Sequence, residues 1–141
     1  MLKTKIAVFV SGGGTNFEAL INAQENGKIP HGEIVLMVSS SKTAYALKRA
    51  ENHGIKSVVC SKKELGSQEK FEEEILKNLE ENDIQLIVLA GFMSILSKEF
   101  TKKYENRIIN IHPSLIPSFC GEGFYGLHVH EAALKKGVKV T

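Results

Sequence analysis

The sequence is short of several things, and each shortage closes off a class of function. Two cysteines occur in 141 residues, Cys60 and Cys120, and they stand far apart. Nothing suggests a disulfide-stapled secreted scaffold, and reduced thiols are expected. The longest apolar run, Ile84 to Met93, is interrupted by Gln85 and is too short to span a bilayer. Behind Lys3 and Lys5, the apolar stretch Ile6–Val10 runs directly into glycines. It has neither the length nor the cleavage site of a signal peptide. A cytoplasmic protein with no membrane partner is the expectation. Basic blocks are missing too: net charge is +2 with acids and bases interspersed, so no nucleic-acid partner is implied. His128 and His130 have only Glu131 nearby to complete a metal site, so no metal is expected. His31 and His53 fall in predicted loops and are expected in solvent, as is the Lys- and Glu-rich helix face around Lys62 and Glu72. What remains, with 43% hydrophobic and 24% charged residues, is the composition of one globular domain with one core.

What is present is an alternation of two patterns. Short β-branched runs predict strands at Ile6–Val10, Ile34–Val38, Lys56–Cys60, Gln85–Ala90 and Arg107–Ile111. Between them lie amphipathic stretches. Phe17, Leu20 and Ile21 share a helix face that stops near Gly27. Thr43 is placed to cap a helix carrying Ala44, Leu47 and Ala50 and stopping near Gly54. Ser67 is placed to cap another with Phe71, Ile75 and Leu79 inside. A last helix is expected from about Leu127 to Lys136. Strands alternating with helices imply an α/β, Rossmann-like fold, its sheet mostly parallel with helices on both faces. Such sheets bind ligands beyond the carboxyl ends of their strands. That rule singles out Ser11–Asn16, Gly91–Leu96 and Asn110–Leu115.

Ser11-Gly12-Gly13-Gly14-Thr15-Asn16 lies between the first strand and the first helix. Glycines admit close approach of an anion, and a helix N-terminus adds unpaired N–H groups, so the segment suits a phosphate. It departs from a dinucleotide fingerprint, because Phe17 replaces the third glycine and serines follow strand two where an acid is needed; no Gly-Lys-Ser/Thr makes it a P-loop. A plain turn with Thr15 or Asn16 as helix cap is the alternative. In Asn110-Ile111-His112-Pro113-Ser114, residues two apart in extended chain point the same way, so Asn110 and His112 would share one crevice. Amide and imidazole can steady an oxyanion, and the imidazole can move a proton. By itself the segment fits a satisfied structural histidine better. Leu89-Ala90-Gly91-Phe92-Met93-Ser94-Ile95-Leu96 suits a flat apolar ring, although by itself it fits ordinary core packing better.

Taken together, these segments resemble the phosphoribosylglycinamide formyltransferase family, the folate-dependent glycinamide ribonucleotide transformylases of purine synthesis. The resemblance runs over nearly the whole chain and implies the formyltransferase-like version of the fold. It implies that Gly13, Gly14, Thr15 and Asn16 hold the ribonucleotide phosphate. Leu89, Phe92, Met93, Ser94, Ile95 and Leu96 would line the folate-ring pocket. Gly91 and Pro113 would lie near the formyl group, and Asn110 and His112 would be two of three catalytic residues. The implied reaction moves a formyl group from 10-formyltetrahydrofolate, as co-substrate, to the amine of glycinamide ribonucleotide, without a metal.

The sequence also departs from the family pattern. The third catalytic residue of the family is an aspartate beyond the helix after the His-Pro segment, whereas Asp83 is the one aspartate here and precedes strand four. Residues 1–141 are therefore expected to be a single catalytic domain missing its C-terminal part, with little turnover. A partly covered core of this kind favours instability or self-association, with a homodimer as one form of the latter. Gln68 stands where an arginine often assists the phosphate, and Ser94 where a basic residue commonly follows the folate-pocket methionine. The glycine-rich segment Ser118–Gly126 is expected to act as a lid. Formyltetrahydrofolate hydrolase, with water as acceptor, is the alternative on the same fold. A catalytically dead nucleotide- or folate-binding module is the alternative from another class.

Overall fold

The structure is a computed structural model that describes residues 3–111. Five strands, β1 (Thr4–Val10), β2 (Gly32–Ser39), β3 (Lys56–Val59), β4 (Leu86–Ala90) and β5 (Ile108–Ile111), form one sheet in the order β3-β2-β1-β4-β5. Residues Ile6–Val10 of β1 are all buried. The reason is its position: β1 pairs in parallel with β2 on one side and β4 on the other. A strand covered on both faces reads as an unbroken apolar run, which is what the sequence shows. β3 extends the parallel ladder beyond β2. The chain therefore builds outward from β1 in one direction, then returns to build outward in the other. This makes the β1/β4 boundary the switch point, where parallel sheets open a crevice.

Among the described residues, five helices connect the strands: α1 (Thr15–Glu25), α2 (Ala46–Asn52), α3 (Lys62–Leu65), α4 (Gln68–Glu81) and α5 (Lys98–Lys103). One sheet face carries Ala7, Phe9, Leu36, Val38 and Ile87, packed with Phe71, Ile75 and Leu79 of α4 and Phe100 of α5. Phe9 lies edge-on to Phe92 at 5.3 Å and to Phe100 at 6.4 Å, and Phe92 stacks on Phe71 at 6.5 Å. By the alternation along β1, Val8 and Val10 are buried on the opposite face, the side of Phe17 and Ile21 from α1 and Ala46 and Ala50 from α2. Cys60 is buried in the first of these cores, and burial, with a smaller contribution from Glu74, pushes its thiol up to about 11. It is a packing residue, as expected for a reduced thiol.

Two sequence expectations need correction here. Thr43 does not cap α2; the helix begins at Ala46 behind Tyr45 and has no side-chain cap. Thr43 is engaged instead in a serine-rich turn, with its hydroxyl 2.9 Å from that of Ser41. α3 and α5, each too short to show periodicity, were not expected. Ser67 does cap α4, accepting the Lys70 N–H at 3.2 Å, and Ser97 caps α5 through the Phe100 N–H. The helix expected at 127–136, the lid segment 118–126, Cys120, His128 and His130 lie outside the described residues.

Candidate active site

The loops after β1, β2 and β4 are laced together at the switch point by one serine. The Ser11 N–H donates to the Gly91 carbonyl at 3.2 Å. Its hydroxyl accepts the Met93 N–H at 2.7 Å and lies 2.6 Å from the Ser40 hydroxyl. A single small polar side chain thus fixes the spacing of all three loops, and its hydroxyl, able to donate and accept at once, suits that place.

Behind Ser11 the chain enters α1 through Gly14, whose φ of 78° is left-handed. A Cβ there would stand 2.7 Å from Ala46 Cβ, so α2 packs against the bare backbone. Gly14 is itself the helix N-cap and no side chain caps α1, so neither Thr15 nor Asn16 has the capping role that a plain turn would give it. The Gly12 carbonyl accepts the Ala46 N–H at 3.3 Å, and the Gly13 carbonyl accepts Nε of Arg49 at 2.7 Å. Among the described residues, the N–H groups of Gly13, Gly14, Thr15 and Asn16 have no acceptor. Thr15 and Asn16 are exposed. The segment presents a row of free donors at the positive end of a helix.

The 91–97 loop faces it from the other side of the switch point. Gly91 turns the chain at φ 72°. Leu89, Phe92 and Leu96 pack on the core, whereas Met93 and Ile95 are 58% and 82% exposed. The apolar set expected for a ring pocket therefore divides into a buried base and two exposed side chains, with Ser94 half-buried between them. Asn110 lies exposed at the end of β5. His112 and Pro113 lie outside the described residues.

Of three residues that sequence reasoning missed, Glu72 and Arg49 hold these loops and His53 holds the end of α2 against α1. Glu72, expected in solvent, is only 8% exposed. Its carboxylate accepts the Ser97 N–H at 2.6 Å, the Ser97 hydroxyl at 2.5 Å and Nε2 of Gln68 at 2.7 Å. Burial raises its pKa, but the Ser97 and Gln68 hydrogen bonds outweigh that and hold it below the usual carboxylate value. Gln68 also donates to the Ile95 carbonyl at 2.9 Å, so it is bound to the loop. His53, likewise expected in solvent, has Nε2 3.0 Å from Glu18 and Nδ1 3.0 Å from Glu25. Those hydrogen bonds, Glu18 first, raise its pKa above the ordinary histidine value. Arg49 is the third. The one available signal was spacing: Arg49 and His53, like Gln68 and Glu72, stand four apart, on one helix face.

Fold and crevice together define a Rossmann-like α/β protein with its loops gathered at the switch point of a parallel sheet. Residues 4–141 match the model of the family described as "Formyl transferase", and the chain belongs to that family. It is 46% identical over 139 residues to the trifunctional purine biosynthetic protein adenosine-3 of Gallus gallus, covering 99% of this chain and 13% of that protein. It is 35% identical to the chloroplastic phosphoribosylglycinamide formyltransferase of Arabidopsis thaliana, over 99% of this chain and 48% of the relative. The crystal structure of phosphoribosylglycinamide formyltransferase from Brucella melitensis superposes with a TM-score of 0.86 at 42% identity, covering 97% of this chain and 68% of that one. The chain thus spans less than half the length of these two sequence relatives.

Proposed function

We propose that this chain forms the ribonucleotide- and folate-binding part of a phosphoribosylglycinamide formyltransferase, acting in de novo purine biosynthesis in the cytoplasm as one catalytic domain. The observation that carries this is the row of free N–H groups at Gly13–Asn16, set across the switch point from an apolar loop. A phosphate on the first and a flat ring against the second would bring amine and formyl group together between them.

In this proposal Gly13, Gly14, Thr15 and Asn16 hold the ribonucleotide phosphate. Phe92, Met93, Ser94, Ile95, Leu96 and Leu89 form the folate side, and Gly91 and Pro113 border the formyl group. The substrate amine attacks the formyl carbon of 10-formyltetrahydrofolate and a carbon–nitrogen bond forms. Asn110 and protonated His112 steady the resulting oxyanion. The bond to the folate nitrogen then breaks, and the proton lost by the amine passes to that nitrogen. Attack on an activated formyl amide needs only this proton movement, so the step is written without a metal. The catalytic aspartate implied by the resemblance is not Asp83. That residue sits before β4, at the amino end of the sheet, 80% exposed and 3.7 Å from Lys5.

The test is calorimetric titration of the chain with glycinamide ribonucleotide, with inorganic phosphate as control. Saturable heat well above that of phosphate supports the assignment. A folded sample that binds neither sinks it.

A further inference from the structure

We propose that Arg49 is a positioning residue for the phosphate cradle, acting through the Gly13 carbonyl to aim the Gly14 N–H at the bound phosphate; this rests on the function proposed above. A peptide unit is planar and trans, so the carbonyl of one residue and the N–H of the next point in opposite directions. Gly12 and Gly13 both turn their carbonyls toward α2, to the Ala46 N–H at 3.3 Å and to Arg49 Nε at 2.7 Å. The N–H groups of Gly13 and Gly14 must then point away from α2, and neither has an acceptor among the described residues.

Among the described residues, Arg49 is the one donor to the Gly13 carbonyl. A Cβ added at Gly12 or Gly13 would meet nothing within 4 Å, so these two positions have no side-chain packing to fix their peptides. Glycine itself permits their rotation. The Ala46 N–H belongs to the backbone and fixes the first peptide; the second depends on a side chain. Arg49 is in turn held in place. Its guanidinium carbon lies 5.0 Å from the centre of the Tyr45 ring. The bare Gly14 backbone lets the arginine stem approach, since a Cβ there would come within 3.4 Å of Arg49 Cδ. A guanidinium suits the task because it stays charged and offers planar, directed donors.

The experiment uses the full chain, unaltered and as Arg49→Met and Arg49→Lys. Ribonucleotide affinity is measured by calorimetry, melting temperature by calorimetric scan, and the Gly13 and Gly14 amide protons by NMR during titration with glycinamide ribonucleotide and with inorganic phosphate. Met keeps the apolar stem; Lys keeps the charge but not the planar fork. Arg49→Met is expected to weaken ribonucleotide binding by about tenfold, the loss of one charge-assisted hydrogen bond's orienting effect. It is also expected to abolish the ligand-induced shift of the Gly14 amide, leaving affinity for a folate analogue within about twofold. Arg49→Lys, which also serves should the Met variant not fold, is expected to recover only part of the affinity and of the shift. An unchanged Gly14 shift in folded Arg49→Met overturns the proposal whatever the affinity, since the arginine then acts by charge alone. If the unaltered chain ignores the ribonucleotide, the proposed function falls instead. The positioning role is then decided by whether the Gly14 shift with inorganic phosphate depends on Arg49.

Discussion

The two loops that border the crevice are held by opposite means. The 12–16 segment is held by a cation, the Arg49 guanidinium, which takes a backbone carbonyl. The 91–97 segment is held by a buried anion, the Glu72 carboxylate, which takes the Ser97 N–H and hydroxyl. Occupying carbonyls leaves N–H groups free, so the first loop is left able to bind an anion. In the second loop the Ile95 carbonyl is taken as well, and exposed Met93 and Ile95 give an apolar surface. The first loop's character rests on the backbone groups its anchor leaves free, the second's on its own exposed side chains.

The largest way to break this comparison is at Gly14. Gly14→Ala puts a Cβ 2.7 Å from Ala46 Cβ at a left-handed φ of 78°. We expect a loss of about 2–4 kcal/mol in stability, read from denaturant midpoints, with phosphate binding lost. Wild-type stability would show that α2 does not lie against the loop.

Next is Glu72→Ala, which strips the Ser97 N–H and hydroxyl of their acceptor. About 2–3 kcal/mol is expected, with folate-analogue affinity falling more than ribonucleotide affinity. Equal losses for both ligands would contradict the separate anchoring of the two loops.

Titration separates the Glu72 anchor from the His53 bridge between α1 and α2. Glu72 has its folded pKa below the ordinary 4.5, so its contribution is complete above that value. It is lost as pH falls through the lower folded value. Glu72→Gln should therefore flatten stability against pH on the acid side. On the other side, the His53 pKa is raised from 6.5. Its contribution is complete below 6.5 and is lost as pH rises through the higher folded value. His53→Gln should remove a small loss of melting temperature as pH rises above 6.5. A profile identical to that of the unaltered chain would mean that His53 does not bridge Glu18 and Glu25.

The smallest effect is a null one. With its thiol at about 11 and buried, Cys60 should resist alkylation at neutral pH until the chain unfolds. Rapid modification of the folded chain, located by mass spectrometry, would place it outside the core shared with α4.

Much of the scaffold was legible because its signals are local. The apolar run Ile6–Val10, the Ser67 cap and the glycine loop after β1 each depend on neighbours in sequence, and the structure has all three. The anchors were not legible, because their partners are remote. Glu72 sits in a run of acids that reads as solvated helix, and only the approach of Ser97, 25 positions along the chain, buries it. His53 meets Glu18 across 35 positions, and Arg49 meets Gly13 across 36. Thr43 misled for the converse reason: a good capping residue was taken by a nearer hydroxyl at Ser41.

The sequence by itself determined the alternation of strands and helices and the three segments at the strand ends that could carry chemistry. Periodicity, caps and glycine are properties of adjacent residues, so they can be read before any folding. Only the tertiary structure decided which side chains hold those segments, and so which backbone groups are left free. Hydrogen-bond partners tens of residues apart are chosen by strand order and helix packing, and no local pattern encodes that choice.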